Sequence, residues 1–119
     1  LSRFLEELII ETSKKIGINT TFLKSSSIGY NELRGQERII KIVKELGGTN
    51  YVNPEGGVGL YSKENFLKEG LELNFLKKNK SIVYEQKSKD SFLDNLSIID
   101  IIANDNENIK KHLANFSII

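Results

Sequence analysis

The first segment sets the pattern for the rest of the chain. Phe4, Leu5, Leu8, Ile9 and Ile16 recur near helical spacing, with Glu6, Glu7, Glu11, Lys14 and Lys15 between them. This predicts a helix over residues 3–15, closed at Gly17 and supported by the i, i+4 pair Glu11 and Lys15. Such an apolar face has to bury against something. Residues 20–24, with two threonines and Phe22, read as a short strand. Residues 25–35 are polar, hold Gly29 and Gly35, and read as a loop. A second helix runs from residue 35 or 36 to 46 on the stripe Ile39, Ile40, Val43 and Leu46, and Gly47-Gly48 ends it.

The second half turns toward period two. Tyr51-Val52 is a short extended piece, and residues 53–59 (Asn-Pro-Glu-Gly-Gly-Val-Gly) form a loop in which Pro54 opposes helix. Ser62 suits the N-cap of a short helix through residue 68, closed by Gly70. Leu71, Leu73 and Phe75 alternate with Glu72 and Asn74, as in a half-buried strand over 71–76. Residues 77–80 read as a polar turn. Residues 82–86 read as a second strand, with Ile82, Tyr84 and Gln86 on one face. These two strands are expected to pair as an antiparallel hairpin. A loop over 88–95 carries Phe92 and Leu93, and helices follow over 97–103 and 105–116. Strands separated by helices favour right-handed parallel crossovers. The expected fold is therefore a single α/β domain over residues 1–119. Its small sheet is mixed but mainly parallel, with flanking helices in three layers and further helices at the C-terminal end.

Composition narrows the function by exclusion. The 119 residues carry 17 Lys and Arg against 16 Asp and Glu, a formal net charge of +1. A general nucleic-acid or membrane-surface binder would show a larger basic excess. No apolar run reaches the length of a membrane-spanning helix. The absence of cysteine excludes disulfides and thiolate sites, and a single histidine, His112, excludes a multi-histidine metal centre within this chain.

Several residues are candidates for a binding site, each with a plainer alternative. The 53–59 loop leaves a strand end and enters a helix, the place where open α/β sheets take ligands. Asn53, Gly56 and Gly57 would meet a ligand there, or the glycines serve only a tight connection. The loop is neither a dinucleotide nor a Walker A motif. Tyr61 would stack on or hydrogen-bond a sugar or nucleotide, or lie at the core edge. Gln86, on the inward face of its strand, needs partners or a wet pocket and would read a ligand hydroxyl or amide there, or it is a strand-end glutamine that reaches solvent. Ser97 and Asp100 offer a hydroxyl and a carboxylate, yet they also form a capping-box pattern with Leu96 and Ile101 as a hydrophobic staple, the stronger reading. Arg34 has the fork to clamp a phosphate or carboxylate, although a solvated side chain in a polar loop is favoured. His112 reads as a residue near a helix C-terminus.

Four blocks together carry a family resemblance: Gly48 to Gly57 with Leu60-Tyr61-Ser62; Phe66 with Gly70 to Leu76; Tyr84-Glu85-Gln86; and Leu96 to Ile102. In order and spacing they resemble the WbqC-like family of bacterial proteins, and the upstream Ile39 to Gly47 stretch is similar too. The resemblance is to the C-terminal half of that family, since the strand and Gln-Pro-x-Tyr-Leu-Pro turn that open its members have no counterpart. It implies a portion of a longer protein in surface polysaccharide (O-antigen, lipopolysaccharide) biosynthesis, located in the cytoplasm. The implied activity is transfer from a nucleotide-activated sugar or an acyl or aminoacyl donor. The alternative is a non-enzymatic binding or assembly module of a polysaccharide-biosynthesis complex. No cofactor or metal is named by it. The partners expected are the small-molecule donor, the missing N-terminal half and a second copy of the chain, with no nucleic acid and no membrane insertion.

Overall fold

The structure is a computed structural model that describes residues 1–87 and 91–119, so residues 88–90 of the loop expected over 88–95 lie outside the described residues. Along the chain run α1 (Ser2–Lys15), α2 (Ser25–Ile28), α3 (Gly35–Glu45), β1 (Asn50–Pro54), a 3-10 turn (Glu55–Leu60), α4 (Lys63–Lys68) and β2 (Glu72–Lys78). Then come α5 (Ile98–Asn104), a second 3-10 turn (Asn106–Asn108), α6 (Ile109–Leu113) and β3 (Phe116–Ile118). Two compact units divide these elements. One comprises Leu1–Phe22 and Asn79–Asn115; the other comprises Leu23–Lys78 and Phe116–Ile119.

The second unit holds the sheet, in the order β1-β2-β3. β1 runs parallel to β2 with Tyr51 opposite Leu73 and Asn53 opposite Phe75, whereas β2 and β3 are antiparallel. One pairing of each kind makes the sheet mixed, not mainly parallel. Leu73 and Phe75 point to one face, and there they form a buried core with Leu71, Ile40 of α3 and Phe66 of α4. Tyr51 stacks on Phe66 with centroids 5.7 Å apart, and Tyr61 meets both rings edge-on. The opposite face carries Val52, Leu76 and Ile118 at 44%, 37% and 62% exposure. The buried core of this unit lies on the first face, between the sheet and the helices α3 and α4.

Helix ends follow the sequence closely. α1, α3 and α4 each close on a glycine at positive φ: Gly17 (79°), Gly47 (68°) and Gly70 (75°). Each has the paired bonds of a Schellman cap, as in Gly47 N–H to Lys44 O and Gly48 N–H to Val43 O. Ser62 caps α4 by accepting from Asn65 N–H at 3.3 Å. Its own N–H donates to the Gln36 side chain at 3.1 Å, which ties the start of α4 to the start of α3.

Three expectations fail for want of local information. Residues 20–24 form no strand; a single helical turn, α2, follows. Arg38 pins that region by donating to the carbonyls of Tyr30 and Ser25 and to Asn31 Oδ1. Residues 82–86 keep the predicted alternation, with Ile82, Tyr84 and Gln86 half-buried, yet they join no ladder. The edge of β2 is taken by β3, and Phe75 and Ile119 exchange two backbone bonds of 2.9 Å just beyond it. The helix expected over 105–116 is broken into a 3-10 turn, α6 and β3.

The other unit packs Ile16, Ile101 and Ile109 with Ile82, Tyr84, Ile98, Ile102 and Leu113. α1 has no buried residue; its stripe of Phe4, Leu5 and Ile9 stays 63%, 46% and 56% exposed.

Phe66 is the one fully buried large side chain among the described residues. Phe66→Ala is expected to cost about 3–5 kcal/mol in urea unfolding. Leu67→Ala next to it, 70% exposed, is expected to cost under about 1 kcal/mol.

Candidate functional site

The sheet-bearing unit carries Asn53, Gly56, Gly57, Tyr61 and Arg34. β1 delivers residues 53–59 to its carboxyl end, where the chain tightens into the 3-10 turn. Gly57 is buried, and a Cβ on it would run into the Asn53 carboxamide and lie 3.2 Å from the Tyr61 ring. Gly57 is therefore a close-packing position within the turn. Gly56 and Gly59 differ, since a Cβ on either meets nothing within 4 Å. Asn53 accepts from the Tyr51 hydroxyl at 3.3 Å. Partial burial, then the adjacent Tyr61, push the Tyr51 phenol above its ordinary pKa. Arg34 donates to the nearby carbonyls of Asn31 and Leu33, a local bracing of its own loop.

Gln86, Ser97 and Asp100 belong to the other unit. Gln86 turns inward and is engaged at both ends of its amide. Its Oε1 accepts from Leu93 N–H at 2.8 Å, and its Nε2 donates to Leu93 O at 2.9 Å. This two-point clasp is what a backbone strand partner would offer, supplied here by a side chain. Nε2 also lies 3.2 Å from the Tyr84 hydroxyl and 3.3 Å from Asp100 Oδ2. Asp100 accepts from Tyr84 Oη through a short hydrogen bond and from Asn104 Nδ2 at 3.1 Å. The expected capping box does not form, although Ser97 acts as an ordinary N-cap. Ser97 Oγ accepts from Ile99 N–H, but the Asp100 carboxylate turns to Tyr84, Gln86 and Asn104. The staple positions diverge as well: Leu96 is 46% exposed while Ile101 is buried at 7%.

Sequence reasoning passed over a second polar pair. His112 is buried, and its Nε2 lies 2.6 Å from Asp105 Oδ2. Asn108 donates to the same carboxylate. These hydrogen bonds, from Asn108 first and His112 second, hold Asp105 below the usual carboxylate range. The available signal was spacing: Asp105, Asn108 and His112 fall at i, i+3 and i+7, one face of a helical segment. No group of three or more His, Cys, Asp or Glu among the described residues is placed to hold a metal ion. No helix among them is long and apolar enough to cross a membrane.

The Tyr84 phenol is held above its ordinary pKa by partial burial, then by its bond to Asp100, with Gln86 acting in the opposite sense. A raised folded pKa contributes stability that is present below pH 10 and lost as pH rises through it. The unfolding temperature of the wild type should therefore fall more steeply above pH 10 than that of Tyr84→Phe, as followed by circular dichroism. Equal slopes would show that the Tyr84–Asp100 bond does not persist in solution.

No curated protein and no solved structure matches the chain. A family model, described as the WbqC-like protein family, matches residues 1–112. That span covers all of α1 to α5 and most of α6, and on it the chain belongs to the WbqC-like protein family.

Proposed function

We propose that the protein is a transferase-type component of bacterial surface polysaccharide (O-antigen) assembly, acting in the cytoplasm on a nucleotide-activated sugar or an acyl or aminoacyl donor. Family membership supports the setting. The observation that carries the reading is the open backbone of Gly56 and Gly59 in the turn at the carboxyl end of the parallel β1/β2 pair. Ligands of open α/β sheets bind beyond such strand ends, and glycines without close neighbours let a ligand approach the peptide N–H groups. Asn53 and Tyr61 flank the turn, and Gly57 sets its tightness. Catalysis in this reading rests on positioning and on hydrogen bonds to developing charge. Gln86 lies in the other unit, where its amide is held by Leu93.

The test is a thermal-shift screen of nucleotide sugars, acyl-coenzyme A and aminoacyl donors on the full chain. A donor present at about 100 times its Kd adds about 2.7 kcal/mol, which raises the unfolding temperature by roughly 10 °C in a domain of this size. Gly56→Val should abolish that rise while leaving the unliganded unfolding temperature within about 1 °C, since the added side chain meets open space. No shift with any donor class would overturn the transferase reading.

A second reading, a non-enzymatic assembly module, is favoured by the exposed apolar stripe of α1. In it Phe4, Leu5 and Ile9 form the contact face, and a second copy of the chain is the partner that light scattering would detect. Phe4→Glu with Ile9→Lys is then expected to convert an associated species to monomer without loss of fold. A wild type that stays monomeric at high concentration would remove self-association from this reading.

A further inference from the structure

The segment that leaves β2 and the last helical turns line an open cleft of about 360 Å³ within the first unit. Its wall includes Lys80, Ser81, Val83, Lys111, His112 and Asn115. Among the described residues, Lys80 and Lys111 have no ion-pair partner within 4.0 Å, and no carboxylate lines the space. Ser81 Oγ donates to Asp94 Oδ2 at 3.2 Å, and His112 Nε2 lies 2.6 Å from Asp105 Oδ2. The described lining thus holds two lysines and no carboxylate, while Asp94 and Asp105 hydrogen-bond its Ser81 and His112.

His112 is 8% exposed, and its ring makes one hydrogen bond, to Asp105. Its Nδ1 has no partner, and no buried side-chain polar atom among the described residues lacks one. That nitrogen must therefore reach open space, and the cleft is the space the residue lines. With Nε2–H held by a carboxylate, the ring in its protonated form has Nδ1–H to donate to an oxyanion. Tyr84 fixes the ring from another side, with centroids 5.8 Å apart.

We propose that this cleft binds a phosphate or diphosphate group, with Lys80 and Lys111 supplying the charge and His112 a directed hydrogen bond. Flexible lysines bind phosphate as point charges, and a buried imidazole adds the direction that they lack. The site concerns binding alone and does not depend on the transferase reading, whose Gly56 and Gly59 backbone lies in the other unit.

His112 is the sole histidine of the chain, so its imidazole resonances assign themselves. The experiment titrates sodium pyrophosphate into the full chain at fixed ionic strength and follows those resonances by NMR, with sodium chloride as the matched control. A saturable shift is expected, weakened about tenfold by Lys80→Ala or Lys111→Ala and lost in the double variant. Both lysines are exposed, so the double variant is expected to fold, and its unfolding temperature checks this. No saturable shift up to about 10 mM, or an affinity unchanged in the folded double variant, would overturn the proposal. A phosphate can arrive free or on a lipid. Co-sedimentation with phosphatidylcholine vesicles containing phosphatidic acid, dependent on both lysines, would assign the lipid source. Pyrophosphate binding without co-sedimentation would assign the soluble one.

Discussion

The two edges of β2 decide how the rest of the chain is disposed. One edge is taken by β1 in parallel and the other by β3 in antiparallel. A central strand has no third edge to give, so residues 82–86 are denied the ladder their alternation suggests. Their inward side chains must find other partners, and Ile82 and Tyr84 do so in the isoleucine-rich core of the first unit. Backbone bonding at the exit from β2 is met locally instead: Asn79 N–H donates to Asn115 O, and Asn115 Nδ2 donates to Lys80 O at 2.7 Å. Lys80 and Asn115 then line the same cleft as His112.

Displacement from the sheet also explains the chemistry of Gln86. In a ladder its backbone would have been satisfied by a neighbouring strand, and its amide would have been free to turn to a ligand. Outside a ladder, the amide itself stands in for the missing strand partner of Leu93. Burying an unpaired amide costs more than a hydrogen bond returns, so a half-buried glutamine of this kind is held by internal demand first. Asp100 is drawn into the same network through Tyr84, which is why it forsakes the capping box that its position in α5 invites.

What the sequence revealed was whatever depends on near neighbours. Gly17, Gly47 and Gly70 end three helices because left-handed backbone is a local requirement that glycine meets. Ser62 before Lys63–Lys68 was legible for the same reason. Leu73 and Phe75 declared their common face through a period of two. The inward side of Gln86 was legible too, although its hold on Leu93 was not, because that partner lies in irregular backbone with no period of its own. The antiparallel partner of β2 was out of reach: Phe116 read as the end of a helix, and Phe116 to Ile118, which pair with β2 in place of 82–86, lie some 40 positions beyond β2. Likewise, Gly57 looks the same as Gly56 in sequence. Only the folded turn shows that one packs on Asn53 and Tyr61 while the other faces open space.

Near-neutral net charge misled most where charge is arranged rather than counted. A total of +1 on 119 residues says that the long-range field is weak. Screening at physiological salt confines electrostatic influence to about 8 Å in any case. Within that range the relevant quantity is which groups face a cavity and which stand behind its wall. Around His112 the described lining holds two lysines and no carboxylate, and Asp94 and Asp105 hydrogen-bond Ser81 and the imidazole. The lone histidine, dismissed in the sequence for its position near a helix end, acquires a fixed orientation because Asp105 and Asn108 precede it on the same face. A chain with no basic excess can therefore present a locally cationic pocket, and the exclusion of general polyanion binding by composition leaves recognition of a single small oxyanion untouched.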